Sequence, residues 1–162
     1  MMDHPPSDKP PTTVPRLGEI GLSNYAPYLM NRIMGLYNAS LRDEMAELGL
    51  TTPKMRTLAV LSVIDGLLIR ELAIYTVVEQ STLSRALDQL SAESLIRREN
   101  DPDDSRATRV FLTGQGRMTF ETLWPRMADS YARMFRGIAE DERHAFTGTL
   151  QKVLGNIRKH TF

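Results

Sequence analysis

Residues 79–113, EQSTLSRALDQLSAESLIRRENDPDDSRATRVFLT, contain the change of period that decides the fold. From Glu79 to Ser94, Leu83, Ala86, Leu87 and Leu90 recur at three- and four-residue steps and so line one side of a helix. Ser81, Thr82, Ser84, Arg85, Asp88 and Gln89 fall on the other side. At Leu95 this period stops. Residues 95–100 (LIRREN) and 107–113 (ATRVFLT) alternate in part and are rich in β-branched and aromatic side chains. Between them, Asp101-Pro102-Asp103-Asp104-Ser105-Arg106 is a cluster of turn formers, so the stretch predicts a helix followed by a β-hairpin with a polar tip.

Upstream, Thr51-Thr52-Pro53 predicts a hydroxyl N-cap followed by proline at the first helical position, with Met55, Leu58, Leu61 and Ile64 on one side of the helix it starts. Asp65-Gly66 ends that helix, and a short one from Leu68 to Thr76 presents Leu68, Leu72 and Tyr75. Farther out, Leu29, Met30, Ile33, Met34, Tyr37, Leu41, Met45 and Leu48 mark a long helix from Ser23 to Leu48, capped by Ser23 or Asn24 and stopped at Gly49. Downstream, Met118, Phe120, Leu123, Met127, Tyr131, Met134 and Phe135 restore the helical period, with a kink expected at Pro125. A last helix, Asp141 to His160, is expected to bury Phe146, Leu150, Val153, Leu154 and Ile157.

The fold class is thus mainly α with a small β-hairpin wing: a winged helix-turn-helix over 50–113, flanked by helical regions at 23–48 and 114–160. Residues 1–20, which hold five of the nine prolines, are expected to form a flexible arm. The flanking helices carry apolar stripes with little of their own chain to pack on, which predicts dimerisation regions and a homodimer. Ser81 to Arg85 open the second helix of the pair, the one that enters the major groove in such folds. There short hydroxyls suit phosphate oxygens and an arginine fork suits a guanine edge.

Composition limits the alternatives. The 162 residues fit one domain, and 20 Lys+Arg balance 20 Asp+Glu to a formal net charge of zero. The absence of cysteine excludes disulfides, thiolate metal sites and cysteine nucleophiles. His4, His144 and His160 have no metal-ligand spacing, so no metal or other cofactor is expected. No nucleophile triad, paired carboxylates or phosphate-binding glycine loop is evident, and Gly114-Gln115-Gly116 reads as a helix start, so no enzyme is expected. No apolar run reaches the length of a membrane span or a signal peptide, which predicts a cytoplasmic protein without a membrane partner.

Glu71-Leu72-Ala73, Gln80 to Leu90, Leu95-Ile96-Arg97-Arg98, Asp101 to Arg106 and Leu112-Thr113 occur in the order found in the MarR/SlyA family of transcriptional regulators, which the chain resembles from about Ser23 to His160. The resemblance implies a winged-helix homodimer on a pseudo-palindromic operator in double-stranded DNA, most often a repressor, modulated by a small lipophilic or phenolic effector. It places DNA contacts on Gln80, Ser81, Thr82, Ser84 and Arg85 and has Asp104 orient Arg106 toward the minor groove. Arg97, Arg98 and Arg109 become phosphate contacts, although adjacent Arg97 and Arg98 point to opposite faces of a strand. Met34, Tyr37, Met55, Phe120, Trp124 and Met127 approach the junction where the family's effectors bind, and methionine with aromatics suits an adaptable apolar pocket. Val77 stands where the family commonly has glycine, which predicts a differently shaped turn before the recognition helix, and Ser94, at the end of that helix, also replaces a frequent glycine. Leu68 and Ala139 stand where a capping hydroxyl is usual. A winged-helix protein-interaction module without specific DNA binding is the alternative; Arg85 together with Arg106 favours DNA.

Overall fold

The structure, a computed structural model, describes residues 14–161. Most of the expected Pro-rich arm therefore lies outside the described residues. The chain divides between Ala39 and Ser40 into two compact units. In the first, α1 (Leu17–Ile20) forms a single turn inside the expected arm, followed by a 3-10 turn (Leu22–Asn24) and α2 (Ala26–Ala46), which continues across the division. Neither Ser23 nor Asn24 caps α2, because both belong to the 3-10 turn. The Asn24 amide instead donates to the Ile20 carbonyl at 3.1 Å, and the Tyr25 carbonyl accepts the first helical bonds from Tyr28 and Leu29.

In the second unit, α2 ends at Ala46, earlier than expected, and Gly49 closes the turn that follows with a φ of +68°, which glycine adopts without strain. α3 (Thr52–Val63) follows. Thr51 is its N-cap residue but its hydroxyl makes no capping bond, and Pro53 occupies the second helical position rather than the first. The next segment departs from expectation more usefully. Leu67–Leu68 form a short strand, β1, before α4 (Ile69–Thr76), so the sheet has three strands and not two. Two residues are too few to show a period, which is why β1 escapes sequence reading. Leu68 offers α4 no capping oxygen; its own N–H is accepted by the Glu71 carboxylate at 2.9 Å.

α5 (Gln80–Ala92) leads to β2 (Ile96–Asn100) and β3 (Thr108–Leu112), paired antiparallel with Ile96 opposite Leu112 and Arg98 opposite Val110. β3 lies in the middle, in the order β1-β3-β2. Leu58, Leu61, Leu72, Leu83, Leu87, Leu90 and Val110 have no exposed surface, and burying each such side chain is worth roughly 1.5–3 kcal/mol. This core holds the two helices of the pair and the wing on α3.

α6 (Gly114–Met134) is fixed where it leaves the sheet: the Thr113 hydroxyl accepts from the Gly116 N–H at 3.0 Å and donates to the Ser94 carbonyl at 2.7 Å. Gly116 is required there, since a Cβ would stand 2.0 Å from the Leu95 carbonyl oxygen. The helix continues through Pro125, which removes one backbone donor without ending it. α7 (Glu140–Ile157) starts without a side-chain cap at Ala139. Contrary to expectation, its residues Phe146, Leu150, Val153, Leu154 and Ile157 are 37–72% exposed in the single chain.

The turn before α5 is left-handed, a form that glycine adopts most readily. Val77 adopts φ +54° and ψ +47°, and Ser94, at the other end of α5, has φ +61°. A valine in this conformation costs about 1–2 kcal/mol, and Val77 is 79% exposed, so packing returns little of it. Val77→Gly is expected to raise stability by up to about 1 kcal/mol after the greater unfolded-state entropy of glycine is counted. Denaturant unfolding at one fixed protein concentration measures this, and a lower midpoint would show that the valine is not strained.

Candidate nucleic-acid interface

The exposed edge of α5 and the tip of the wing carry the predicted contacts. Leu83, Ala86, Leu87 and Leu90 face the core, so Gln80, Ser81, Thr82, Ser84 and Arg85 must face outward, and all five are exposed. No side chain caps the start of α5, which leaves its first amides and its positive dipole end open to an anion.

The arginines divide into two groups. On β2, Arg97 pairs with Glu99 and lies over the Phe111 ring, 4.3 Å from its centroid, while Arg98 reaches Asp88 on α5 at 2.7 Å. On β3, Arg109 donates to Asp101 at 2.5 Å and to the Gly66 carbonyl at 2.8 Å. All three guanidiniums are thus engaged by carboxylates, and Arg109 also ties β3 to the Gly66 carbonyl. Arg85 and Arg106 are different: among the described residues their side chains have no ion pair or hydrogen bond, and both are exposed.

Two wing carboxylates act otherwise than their place in the sequence suggests. Asp101 is not a solvated turn former, since it is only 7% exposed and anchors Arg109. Asp104 makes no ion pair with Arg106. Its carboxylate accepts the Arg106 backbone N–H at 3.0 Å and its carbonyl accepts Ala107 N–H at 2.9 Å, so it shapes the turn that presents Arg106.

A separate apolar cavity of about 490 Å³ opens between α3 and α6, lined by Ala59, Ser62, Val63, Phe120, Glu121, Trp124 and Met127. Phe120 and Trp124 form its aromatic wall, with ring centroids 6.2 Å apart. Three of the predicted effector residues, Phe120, Trp124 and Met127, thus share a site. Met55 does not join them: at 4% exposure it is a core side chain pointing elsewhere. Met34 and Tyr37 lie on α2 in the other unit.

Sequence reading passed over Lys54 and Arg56. Lys54 stands on the same helical stripe as Leu58 and Leu61, and that spacing is the signal that could have found it.

A three-helix core, a recognition helix with an outward polar edge and a three-stranded wing define a winged helix-turn-helix DNA-binding protein. The comparisons agree: the MarR family model matches residues 48–107. The crystal structure of a MarR-family transcriptional regulator from Silicibacter pomeroyi is 59% identical, with a TM-score of 0.87, and the match covers 91% of this chain and 100% of that one. The transcriptional repressor IacR of Pseudomonas putida is 22% identical over 143 residues, 88% of this chain and 86% of that one. BpsR of Bordetella bronchiseptica, whose DNA binding is regulated by 6-hydroxynicotinic acid, shares the fold at 24% identity and a TM-score of 0.69, over 79% of this chain and 97% of that one. The chain belongs to the MarR family of transcriptional regulators. No helix among the described residues is long and apolar enough to cross a membrane.

Arg109→Ala is expected to lower stability by about 2–3 kcal/mol, because it leaves the buried Asp101 carboxylate unpaired, whereas Arg106→Ala leaves the thermal midpoint unchanged. Equal midpoints for the two variants would mean that Arg109 does not anchor the wing.

Proposed function

We propose that the protein is a cytoplasmic homodimeric repressor that binds a pseudo-palindromic operator through α5 and the wing and is released by a small lipophilic or phenolic effector. The observation that carries the DNA assignment is the division of the arginines. Neighbouring carboxylates engage Arg97, Arg98 and Arg109, while among the described residues Arg85 on the recognition helix and Arg106 at the wing tip have no side-chain partner. Arg85 is suited to a base edge in the major groove and Arg106 to the narrow minor groove beside it. Ser81, Thr82 and Ser84 supply short hydroxyls for phosphate oxygens, with Gln80 at the helix start.

The uncovered apolar side of α7 supports the dimer, as a second copy would remove it from water. Two-fold pairing would set the recognition helices about 34 Å apart, one turn of the duplex. The α3–α6 cavity supports the effector role, with aromatic and methionine walls suited to a flat ring. An occupant that favours another helix spacing would lower operator affinity by population shift. The repressor direction draws on the relative from Pseudomonas putida.

An operator selected from a random duplex library by the wild-type protein provides the test, with random duplex as reference. Arg85→Ala is expected to lose discrimination between the two, and Arg106→Ala to weaken binding with a salt slope shallower by about one. Failure to enrich any sequence, or unchanged affinities in both variants, would sink the assignment. In sedimentation, the protein is expected to remain dimeric on dilution, and a monomer at micromolar concentration would overturn the α7 argument.

A further inference from the structure

Lys54 is an unusual residue for its place. It is the third residue of α3, where a cation meets the positive end of the helix dipole, and its side chain is only 5% exposed. Burying an ammonium there is costly unless a partner requires it. The partner is Glu93, the C-cap residue of α5, whose carboxylate lies 2.6 Å from Lys54 Nζ. Glu93 itself remains 47% exposed.

Two residues on, Arg56 Nη1 donates to the carbonyls of Thr76 and Val77 at 3.4 and 3.3 Å. Those carbonyls belong to the end of α4 and the left-handed turn that delivers the chain into α5. One segment of α3 therefore holds the C-cap of α5 and the turn that leads into its start, points separated by a 13-residue helix that spans about 20 Å. The held points include Val77 itself and the residue before Ser94, and Val77 and Ser94 are the two non-glycine residues with positive φ among the described residues.

We infer that Lys54 and Arg56 are positioning residues for DNA recognition, a two-point clamp that sets the angle at which α5 presents Gln80 to Arg85. Neither touches DNA in this arrangement. Their effect passes through Glu93 and through the turn at Val77. A purely stabilising role fits Lys54 poorly, since a buried ammonium with one half-exposed partner contributes little net stability. This inference rests on α5 being the recognition helix.

The test is a double-mutant cycle of Lys54→Met and Glu93→Gln, with Lys54→Arg as the conservative variant and Arg56→Gln for the other end. Each of the two single substitutions in the pair is expected to reduce the ratio of selected-operator to random-duplex affinity at least about threefold, and the double variant no further than the worse single one. Lys54→Arg is expected to recover most of the ratio. The thermal midpoint of Lys54→Met is expected to equal or exceed that of the wild type, which separates positioning from stability. Arg56→Gln is expected to lower the ratio as well. Additive losses in the pair, or an unchanged ratio at either end, would overturn the clamp. Should Lys54→Met or Glu93→Gln fold poorly, Lys54→Arg and Arg56→Gln, which leave no buried charge unpaired, keep both ends of the clamp testable. Loss of discrimination in Arg85→Ala with none in these variants would refute the clamp while leaving the DNA assignment standing.

Discussion

The wing depends on its attachment at Asp65-Gly66. One oxygen of the Asp65 carboxylate accepts the Leu112 N–H at 2.8 Å and the Gly66 N–H at 3.1 Å, and Gly66 N–H also reaches the Val110 carbonyl at 3.1 Å. Leu67 and Leu68 then pair with Val110 and Arg109. An isolated two-stranded hairpin is marginal in water, and the third strand makes the wing part of the core. Gly66 allows this because its φ is +72° and the Phe111 ring would lie 2.7 Å from any Cβ. Arg109 closes the same junction by joining the Gly66 carbonyl to Asp101.

That anchoring also accounts for the charge balance. From Glu79 to Thr113 there are five basic residues (Arg85, Arg97, Arg98, Arg106, Arg109) and seven acidic ones (Glu79, Asp88, Glu93, Glu99, Asp101, Asp103, Asp104), a poor composition for a DNA-binding segment. In the fold, Asp88, Glu99 and Asp101 each engage an arginine of the wing, Glu93 engages Lys54, and Asp104 binds backbone. These five acids are part of the scaffold, while Glu79 and Asp103 remain exposed. Among the described residues of this segment, the Arg85 and Arg106 guanidiniums are left unengaged beside the exposed carboxylates of Glu79 and Asp103, a balance that gives little sequence-independent attraction to a polyanion.

α3 links the parts of the second unit. It supplies core leucines, contacts α4, α5 and α6, lines the apolar cavity through Ala59, Ser62 and Val63, and meets both ends of α5 through Lys54 and Arg56. A rigid helix that borders a cavity and also holds the recognition helix is a short physical route between them.

The order of helices and strands was legible in the sequence because each long element carries its own period: leucines at helical spacing in α3 and α5, a break at Leu95, turn formers from Asp101 to Arg106. The outward face of α5 followed from the same spacing, since fixing Leu83 and Leu87 inward leaves Ser81, Thr82, Ser84 and Arg85 no other side. Tertiary structure decided the rest. A two-residue strand has no period, a valine in a left-handed turn keeps its shape because the helices on either side are already packed, and which of five arginines stays free depends on carboxylates brought in from other elements. Asp101 and Arg109, Asp88 and Arg98, and Lys54 and Glu93 are apart in sequence and meet only once the core has formed. Local pattern records which way a side chain faces, whereas pairing depends on distances that the chain acquires by folding.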